Sequence, residues 1–155
     1  MRPLLVLFAL SACGTGDFSD DPDTACNEDN EGCGPGDCDG EGASMLPGSD
    51  CLLCHTAGGG EGGAFTAAGT VFTDLDGTGG LADVTVRITD ADGLIVELTS
   101  NSVGNFYTKE PLAFPIDAEV EVGGEVRAMA TPVDTAACGS CHACEGAAGG
   151  KLTGP

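Results

Sequence analysis

Hydrophobic and polar residues alternate with a period of two through the middle of the chain, a pattern that predicts β-strands with one buried face. In the stretch VTVRIT, Val84, Val86 and Ile88 share one face, and the polar residues between them share the other. A second alternating stretch, LIVELT, follows across Asp92-Gly93. Two such stretches joined through Asp-Gly predict a β-hairpin.

The same alternation recurs on both sides of Gly123-Gly124 and predicts a second hairpin. Further strands are expected at residues 69–73 and around residues 105–107, and no stretch has the period of a long helix. About six short strands without a long helix predict an all-β fold. We expect them to close into a small antiparallel β-sandwich over residues 67–132.

The chain begins with a short apolar segment, Leu4 to Leu10, behind the single basic residue Arg2. The apolar run is too short to span a bilayer and is typical of a secretory signal, here residues 1–12. Leu10-Ser11-Ala12-Cys13 resembles a bacterial lipobox. That resemblance implies cleavage before Cys13 and lipidation of this cysteine, which would anchor the protein to a membrane. The alternative is an ordinary signal peptide, and both interpretations predict export.

Residues 13–44 are rich in Asp, Glu, Gly and Pro and contain no Lys or Arg. Such a segment buries too little apolar surface to fold, so we expect a disordered, acidic tether. The whole chain carries a formal net charge of −20. This charge excludes a nucleic-acid partner, which requires a basic surface, and predicts that protein partners are basic where they dock.

Two short motifs carry the candidate chemistry. "CLLCH" spans Cys51 to His55, "CGSCH" spans Cys138 to His142, and these are the two histidines of the chain. C-x-x-C-H is the attachment sequence of c-type haem: the two thiols bond to one porphyrin and the histidine binds its iron. The motifs therefore predict two covalently attached haems. Zinc bound by these cysteines and histidines, and disulfides or redox-active cysteine pairs, are the alternatives. The predicted cofactor-binding residues are Cys51, Cys54, His55, Cys138, Cys141 and His142.

The sixth iron ligand cannot be histidine if both histidines are proximal, so methionine is the remaining good candidate. Met45 precedes the first motif and Met129 precedes the second, each close enough in sequence for a loop to reach the same haem. If Val126 and Ala128 face the core, Met129 lies on the outer face. Water, an open site and exchange of the two methionines between the haems are the alternatives.

Four cysteines, Cys26, Cys33, Cys38 and Cys144, are left after the motifs and the lipidation site are assigned. In an exported protein they can form up to two disulfides, and the sequence does not rank the three pairings. A free, reactive Cys144 is the other possibility.

The stretches "AGTVFTDLDG" (68–77), "ADVTVRITDADG" (82–93) and "SVGNFYT" (102–108) resemble carboxypeptidase-regulatory-like, or transthyretin-like, β-sandwiches. With the two motifs, at residues 45–66 and 133–155, the layout resembles small exported dihaem proteins that carry this sandwich between two haem segments. The resemblance implies electron transfer at the cell surface or in the periplasm. Together with the lipobox and the two motifs, it leads us to expect a lipid-anchored dihaem cytochrome c at the bacterial outer membrane, on its periplasmic face or at the cell surface, that carries electrons between partner proteins and is not an enzyme. A structural lipoprotein with zinc or disulfide clamps is the alternative, and a dihaem peroxidase is a weaker one.

Overall fold

The computed structural model describes residues 46–57, 62–143 and 146–155 of the 155-residue chain. The predicted signal peptide, the lipidation site Cys13, the acidic tether and Met45 lie outside the described residues, as does Cys144. Across the described parts of the chain, no helix is long and apolar enough to span a membrane.

Short strands dominate the described chain, and the only two α-helices within it are single turns. The elements, in chain order, are α1 (Cys51–Cys54), β1 (Ala67–Thr70), β2 (Thr85–Thr89), β3 (Ile95–Thr99), β4 (Asn105–Thr108), β5 (Asp117–Val122), β6 (Glu125–Ala128) and α2 (Cys138–Cys141). The all-β fold and both predicted hairpins are confirmed. The first strand begins two residues earlier than predicted and ends at Thr70.

The strands form two antiparallel sheets. One contains β1 and β4, and the other has the order β3-β2-β5-β6. Gly93, with φ 84°, makes the turn of the first hairpin, and Gly123 and Gly124, with φ 61° and 88°, make the turn of the second. Residues with a Cβ rarely adopt such positive φ values, so glycine at these positions fixes where each hairpin turns.

The hydrophobic core includes residues from both sheets. Val86 and Ile88 of β2 are about 1 % exposed, whereas the residues between and beside them are only partly buried or exposed, as the alternation predicts. Val120 of β5 and Phe106 of β4 complete the centre of this cluster. Residues beyond the last strand also contribute, because Ala136 is buried in the same cluster. The core therefore supports the segment that carries the second motif.

The prediction for the faces of β6 is wrong. Arg127 lies opposite the buried Val120, whereas Val126 lies opposite Glu121 and is 50 % exposed. Val126 and its neighbours on that face thus point away from the core. The apolar-polar pattern misleads here because β6 is an edge strand with all four residues exposed, where hydrophobicity no longer marks the buried face.

Candidate functional site

Each C-x-x-C-H motif forms one helical turn followed by its histidine. In α1 the N–H of His55 donates to the carbonyl of Cys51 at 2.9 Å, and in α2 the N–H of His142 donates to the carbonyl of Cys138 at 2.8 Å. The two histidines have similar backbone angles, φ −89° and ψ 55° against φ −94° and ψ 42°. The turn brings both cysteines of a motif to one short stretch of helix with the histidine at its end.

The correspondence extends beyond the motifs at a constant offset of 87 positions, from Cys51 to Cys138. The thiol of each first cysteine donates to the carbonyl two residues earlier, at 3.6 Å in both cases. The imidazole Nδ1 of His55 lies 3.3 Å from the carbonyl oxygen of Gly63, and Nδ1 of His142 lies 3.3 Å from that of Gly150. The sequence therefore encodes one local structure twice.

The two glycines whose carbonyl oxygens face the histidines have backbone angles that favour glycine. Gly63 has φ 77° and Gly150 has φ 138°, and the residue before each, Gly62 or Gly149, also has a positive φ. When Nδ1 carries the ring proton and donates it to the glycine carbonyl, Nε2 keeps its lone pair for a metal. This arrangement fixes the orientation of both imidazoles before any ligand binds.

The two motifs lie against each other at one end of the fold. Both helices pack on β1, where a Cβ on Gly69 would lie 2.7 Å from the Cβ of Cys138. A Cβ on Gly139 of α2 would lie 2.7 Å from the carbonyl oxygen of Ser49, just before α1. Only glycine permits these approaches. Strands that are remote in sequence thus bring together two motifs that are 87 positions apart.

The first cysteines of the motifs are free thiols, whereas Cys54 and Cys141 are disulfide-bonded. Burial, with smaller contributions from the nearby charges of Cys51 and Asp50, raises the pKa of Cys138 to about 12. Burial, together with the charge of Asp50, also raises the pKa of Cys51. Both groups are therefore neutral thiols at pH 7, and the thiolate, which is the nucleophilic and metal-binding form, is disfavoured.

The surroundings of the two histidines differ. His55 is 6 % exposed and stacks on Phe65 at 4.0 Å between ring centroids, with the rings 14° from parallel. Phe65 in turn stacks on Tyr107 at 4.3 Å, and Tyr107 is 52 % exposed. These rings form a continuous stack from the surface to the first histidine, which the sequence analysis did not predict.

His142 is partly buried, and burial lowers its pKa, opposed by the hydrogen bond to Gly150. The imidazole is thus held neutral, which is the form that binds a metal. The asymmetry with His55 arises from residues outside the motifs, since Phe65 and Tyr107 belong to the loop before β1 and to β4.

Of the two predicted methionine ligands, Met129 is among the described residues, and no hydrogen bond joins it to either motif. Met129 is partly buried directly after β6, and its N–H donates to the carbonyl of Ala118 at 2.9 Å. It follows Arg127 on the core side of the edge strand, opposite to the predicted outer face. Within residues 46–57, 62–143 and 146–155, no three His, Cys, Asp or Glu side chains are grouped as metal ligands.

No protein-family model, curated protein or solved structure matches the chain.

Sequence analysis missed Gly63 and Gly150, which position the histidines. A signal for them was present, because a Gly-Gly pair ends eight residues after each histidine. Phe65 and Tyr107 carried no comparable signal, since their stacking depends on how β1 and β4 pair.

Proposed function

We propose that the protein is a dihaem c-type cytochrome that carries electrons between partner proteins in the bacterial cell envelope. The observation that carries this proposal is the doubled arrangement of a C-x-x-C turn and a histidine whose Nδ1 faces a glycine carbonyl at 3.3 Å. A zinc site or a disulfide clamp gives no reason for a histidine directly after both cysteine pairs.

The residues present fit a c-type haem. Cys51 and Cys54 would hold one haem and Cys138 and Cys141 the other, with His55 and His142 as the proximal ligands. Bound haem would supply one-electron chemistry at its iron. Because attachment needs two thiols, Cys54 and Cys141 must be reduced before the cofactor is attached. The contact between the motifs, through Gly139 and Ser49, supports two cofactors that act as a pair.

The sixth ligand is a separate part of the proposal. Met129 is the described candidate, and Met45 is the other. Methionine ligation would raise the reduction potential relative to a second histidine. Met129 directly follows the edge strand β6.

An electron carrier is favoured over a dihaem peroxidase. A peroxidase needs distal acid-base groups, and no histidine remains for this role. The guanidinium of Arg87 binds Glu97, Glu119 and Glu121 at 2.9, 3.2 and 2.6 Å. Arg127 donates to the hydroxyl of Thr153 at 2.8 Å. Both arginines, which could otherwise serve as distal cations, thus have other partners.

The remaining parts of the proposal follow from charge and export. A net charge of −20 favours transient docking to partners with a basic surface, weakened by salt. Lipidation at Cys13 would hold the protein at the outer membrane. The two sheets would serve as a transthyretin-like sandwich that supports both haem segments.

A structural lipoprotein with disulfide clamps is the second candidate. It is favoured by one observation, the disulfide-bonded state of Cys54 and Cys141. In an oxidising compartment such bonds would persist and stabilise the fold. This candidate predicts a colourless protein.

An optical spectrum of the exported chain, oxidised and dithionite-reduced, separates these candidates when the host has a c-type haem maturation system. We expect a low-spin reduced spectrum, a haem stain that survives denaturing electrophoresis, and the charge-transfer band of a thioether bound to ferric iron. Met129→Leu and Met45→Leu should each remove part of that band. A colourless product would instead support the disulfide-clamped lipoprotein, and a high-spin haem that reacts with peroxide would support the peroxidase.

A further inference from the structure

Residues 62–66 provide both groups that contact the imidazole of His55. The carbonyl oxygen of Gly63 lies 3.3 Å from Nδ1, and the ring of Phe65 stacks on the imidazole with 4.0 Å between the centroids. The N–H of Phe65 also donates to the carbonyl of His55 at 2.9 Å. The position of this segment therefore determines how the imidazole is held.

The strand β4 holds this segment at two points. The N–H of Thr66 donates to the carbonyl of Thr108 at 2.8 Å. The ring of Tyr107 stacks on Phe65 at 4.3 Å between centroids, 15° from parallel, and covers the face of Phe65 that His55 does not. Because β4 is itself paired with β1 along its length, these contacts join the segment to a sheet.

Lys109, which directly follows β4, holds the same segment at a third point. Its ammonium donates to the carbonyl of Gly62, and a Cβ on Gly63 would lie 4.0 Å from its Nζ. The ammonium also lies 5.7 Å from the centre of the Phe65 ring. Lys109 is exposed, so water and salt weaken these contacts, and we expect its contribution to be smaller than that of Tyr107.

His142 lacks an equivalent ring stack among the described residues. Its Nδ1 lies 3.3 Å from the carbonyl oxygen of Gly150, as in the first motif. Both ring stacks within the described parts of the chain, however, involve Phe65. A hydrogen bond at Nδ1 restrains one atom of an imidazole, whereas a stacked ring also restrains its plane. The plane of His55 is therefore restrained more tightly than that of His142.

We propose that β4 sets the plane of the His55 imidazole through Phe65, with Tyr107 and Lys109 as positioning residues. This inference rests on the proposed function, in which His55 would be a proximal ligand of haem iron. The plane of an axial imidazole determines how unpaired spin is distributed over the porphyrin of a low-spin ferric haem. The contacts of β4 would therefore give the first site one well-defined orientation of its axial ligand.

Hydrogen exchange at the Phe65 amide measures these contacts in the full exported chain, with or without haem. Tyr107→Ala should raise the opening equilibrium constant at this amide about fivefold, which equals about 1 kcal/mol, and Lys109→Met should raise it about twofold. The conservative variants Tyr107→Phe and Lys109→Arg should keep the parent values. The amide of Phe72, which donates to the carbonyl of Leu152 at 2.7 Å, is the internal reference and should not change.

Proton NMR of the ferric protein tests the positioning role itself. In the variant whose second C-x-x-C pair is replaced by serines, Tyr107→Ala should reduce the spread of the paramagnetically shifted haem-methyl resonances, and Tyr107→Phe should not. A loss of stability alone leaves these resonances in place, because they report the orientation of the axial ligand. When the first C-x-x-C pair is replaced instead, Tyr107→Ala should leave the resonances of the remaining haem unchanged. Circular dichroism confirms that the variants fold.

Three results would overturn the inference. The first is an unchanged exchange rate at Phe65 in Tyr107→Ala, whether or not haem is bound. The second is a set of haem-methyl resonances at the first site that does not move, and the third is an equal change at both sites. If Tyr107→Ala does not fold, Lys109→Met makes the same test from an exposed position. A chain without haem contradicts the proposed function, whereas exchange at Phe65 still decides whether β4 holds the segment.

Discussion

In both motifs a histidine after one helical turn lies 3.3 Å from a glycine carbonyl, yet the groups around the two histidines are unrelated. His55 stacks on Phe65 and lies near an exposed lysine. His142 is only partly buried, and the loop that orients it continues into a buried lysine. The turn before His55 is capped by Asp50, whereas that before His142 begins at Ala137 without a side-chain cap.

The two sites thus share what the local sequence determines and differ in what the tertiary structure determines. The backbone arrangement that presents each imidazole is local and recurs at a fixed offset, because cysteines, histidine and glycines are all close in sequence. The environment that adjusts each site is supplied by distant strands and cannot recur. We therefore expect the two sites to bind the same cofactor with different properties, and the following changes test this difference from the largest expected effect to the smallest.

Removing one cysteine pair should have the largest effect. Cys51→Ser with Cys54→Ser, or Cys138→Ser with Cys141→Ser, should halve the haem bound per chain, because in the proposed function each pair would attach one haem. The haem-to-protein ratio from a pyridine haemochrome assay measures this directly. If either double variant loses both haems or neither, the two motifs are not independent attachment sites.

Gly69→Ala should destabilise the protein by about 1–3 kcal/mol, the usual range for overpacking. The new Cβ would lie 2.7 Å from the Cβ of Cys138 and 2.9 Å from the Phe106 ring, so it would push the second motif away from β1. Denaturant unfolding measures the change. Gly79→Ala is the control, because its nearest atom would be at an ordinary 3.5 Å, and an equal loss in both variants would contradict the argument.

Exchanging the helix caps should shift stability in opposite directions. Asp50 accepts the N–H of Leu52 at 3.1 Å, so Asp50→Ala should cost about 1 kcal/mol. Ala137→Asp places a carboxylate at the equivalent position of α2. In the double variant Asp50→Ala, Ala137→Asp it should restore part of the stability that Asp50→Ala removes. Thermal unfolding of both single variants and the double variant tests the exchange, and a stability gain from Asp50→Ala would count against it.

Phe65→Leu should affect the first site alone. It removes the ring that stacks between His55 and Tyr107. A stacked aromatic pair contributes about 0.5–1.5 kcal/mol to stability. The spectrum of the haem at His55 should change while that of the haem at His142 does not, as measured in the two single-haem variants. Equal changes at both haems would show that the stack does not distinguish the sites.

Asp90, which lies outside both motifs, should make the stability of the fold depend on pH in the acid range. Asp90 accepts the N–H groups of Ala113, Leu94 and Asp92, and these bonds, led by that of Ala113, lower its pKa. Its stabilising effect is present above the ordinary Asp pKa of about 3.8 and is lost as pH falls through the lower folded pKa. Asp90→Asn should reduce the loss of unfolding free energy at acid pH, and it should do so equally in the two variants that each lack one cysteine pair. An unchanged loss at acid pH would show that other carboxylates dominate.

Local pattern predicted the fold well and the site in part. Alternation located both hairpins, because the buried faces of β2 and β5 lie in the core. It failed for β6, where Val126 is exposed and Arg127 lies opposite Val120. The motifs predicted six site residues, and the contact between the two motifs depends on Gly69 and Gly139, whose role appears only when distant segments meet.

The central claim is that each motif attaches one haem, and intact-mass spectrometry of the exported chain tests it most directly. The protein should be made in a host with a c-type haem maturation system and measured after unfolding with reductant. We predict a mass increased by two haems over that of the processed polypeptide. A haem-free mass that rises on reduction by the hydrogens of opened disulfides would contradict the account and indicate a disulfide-clamped lipoprotein.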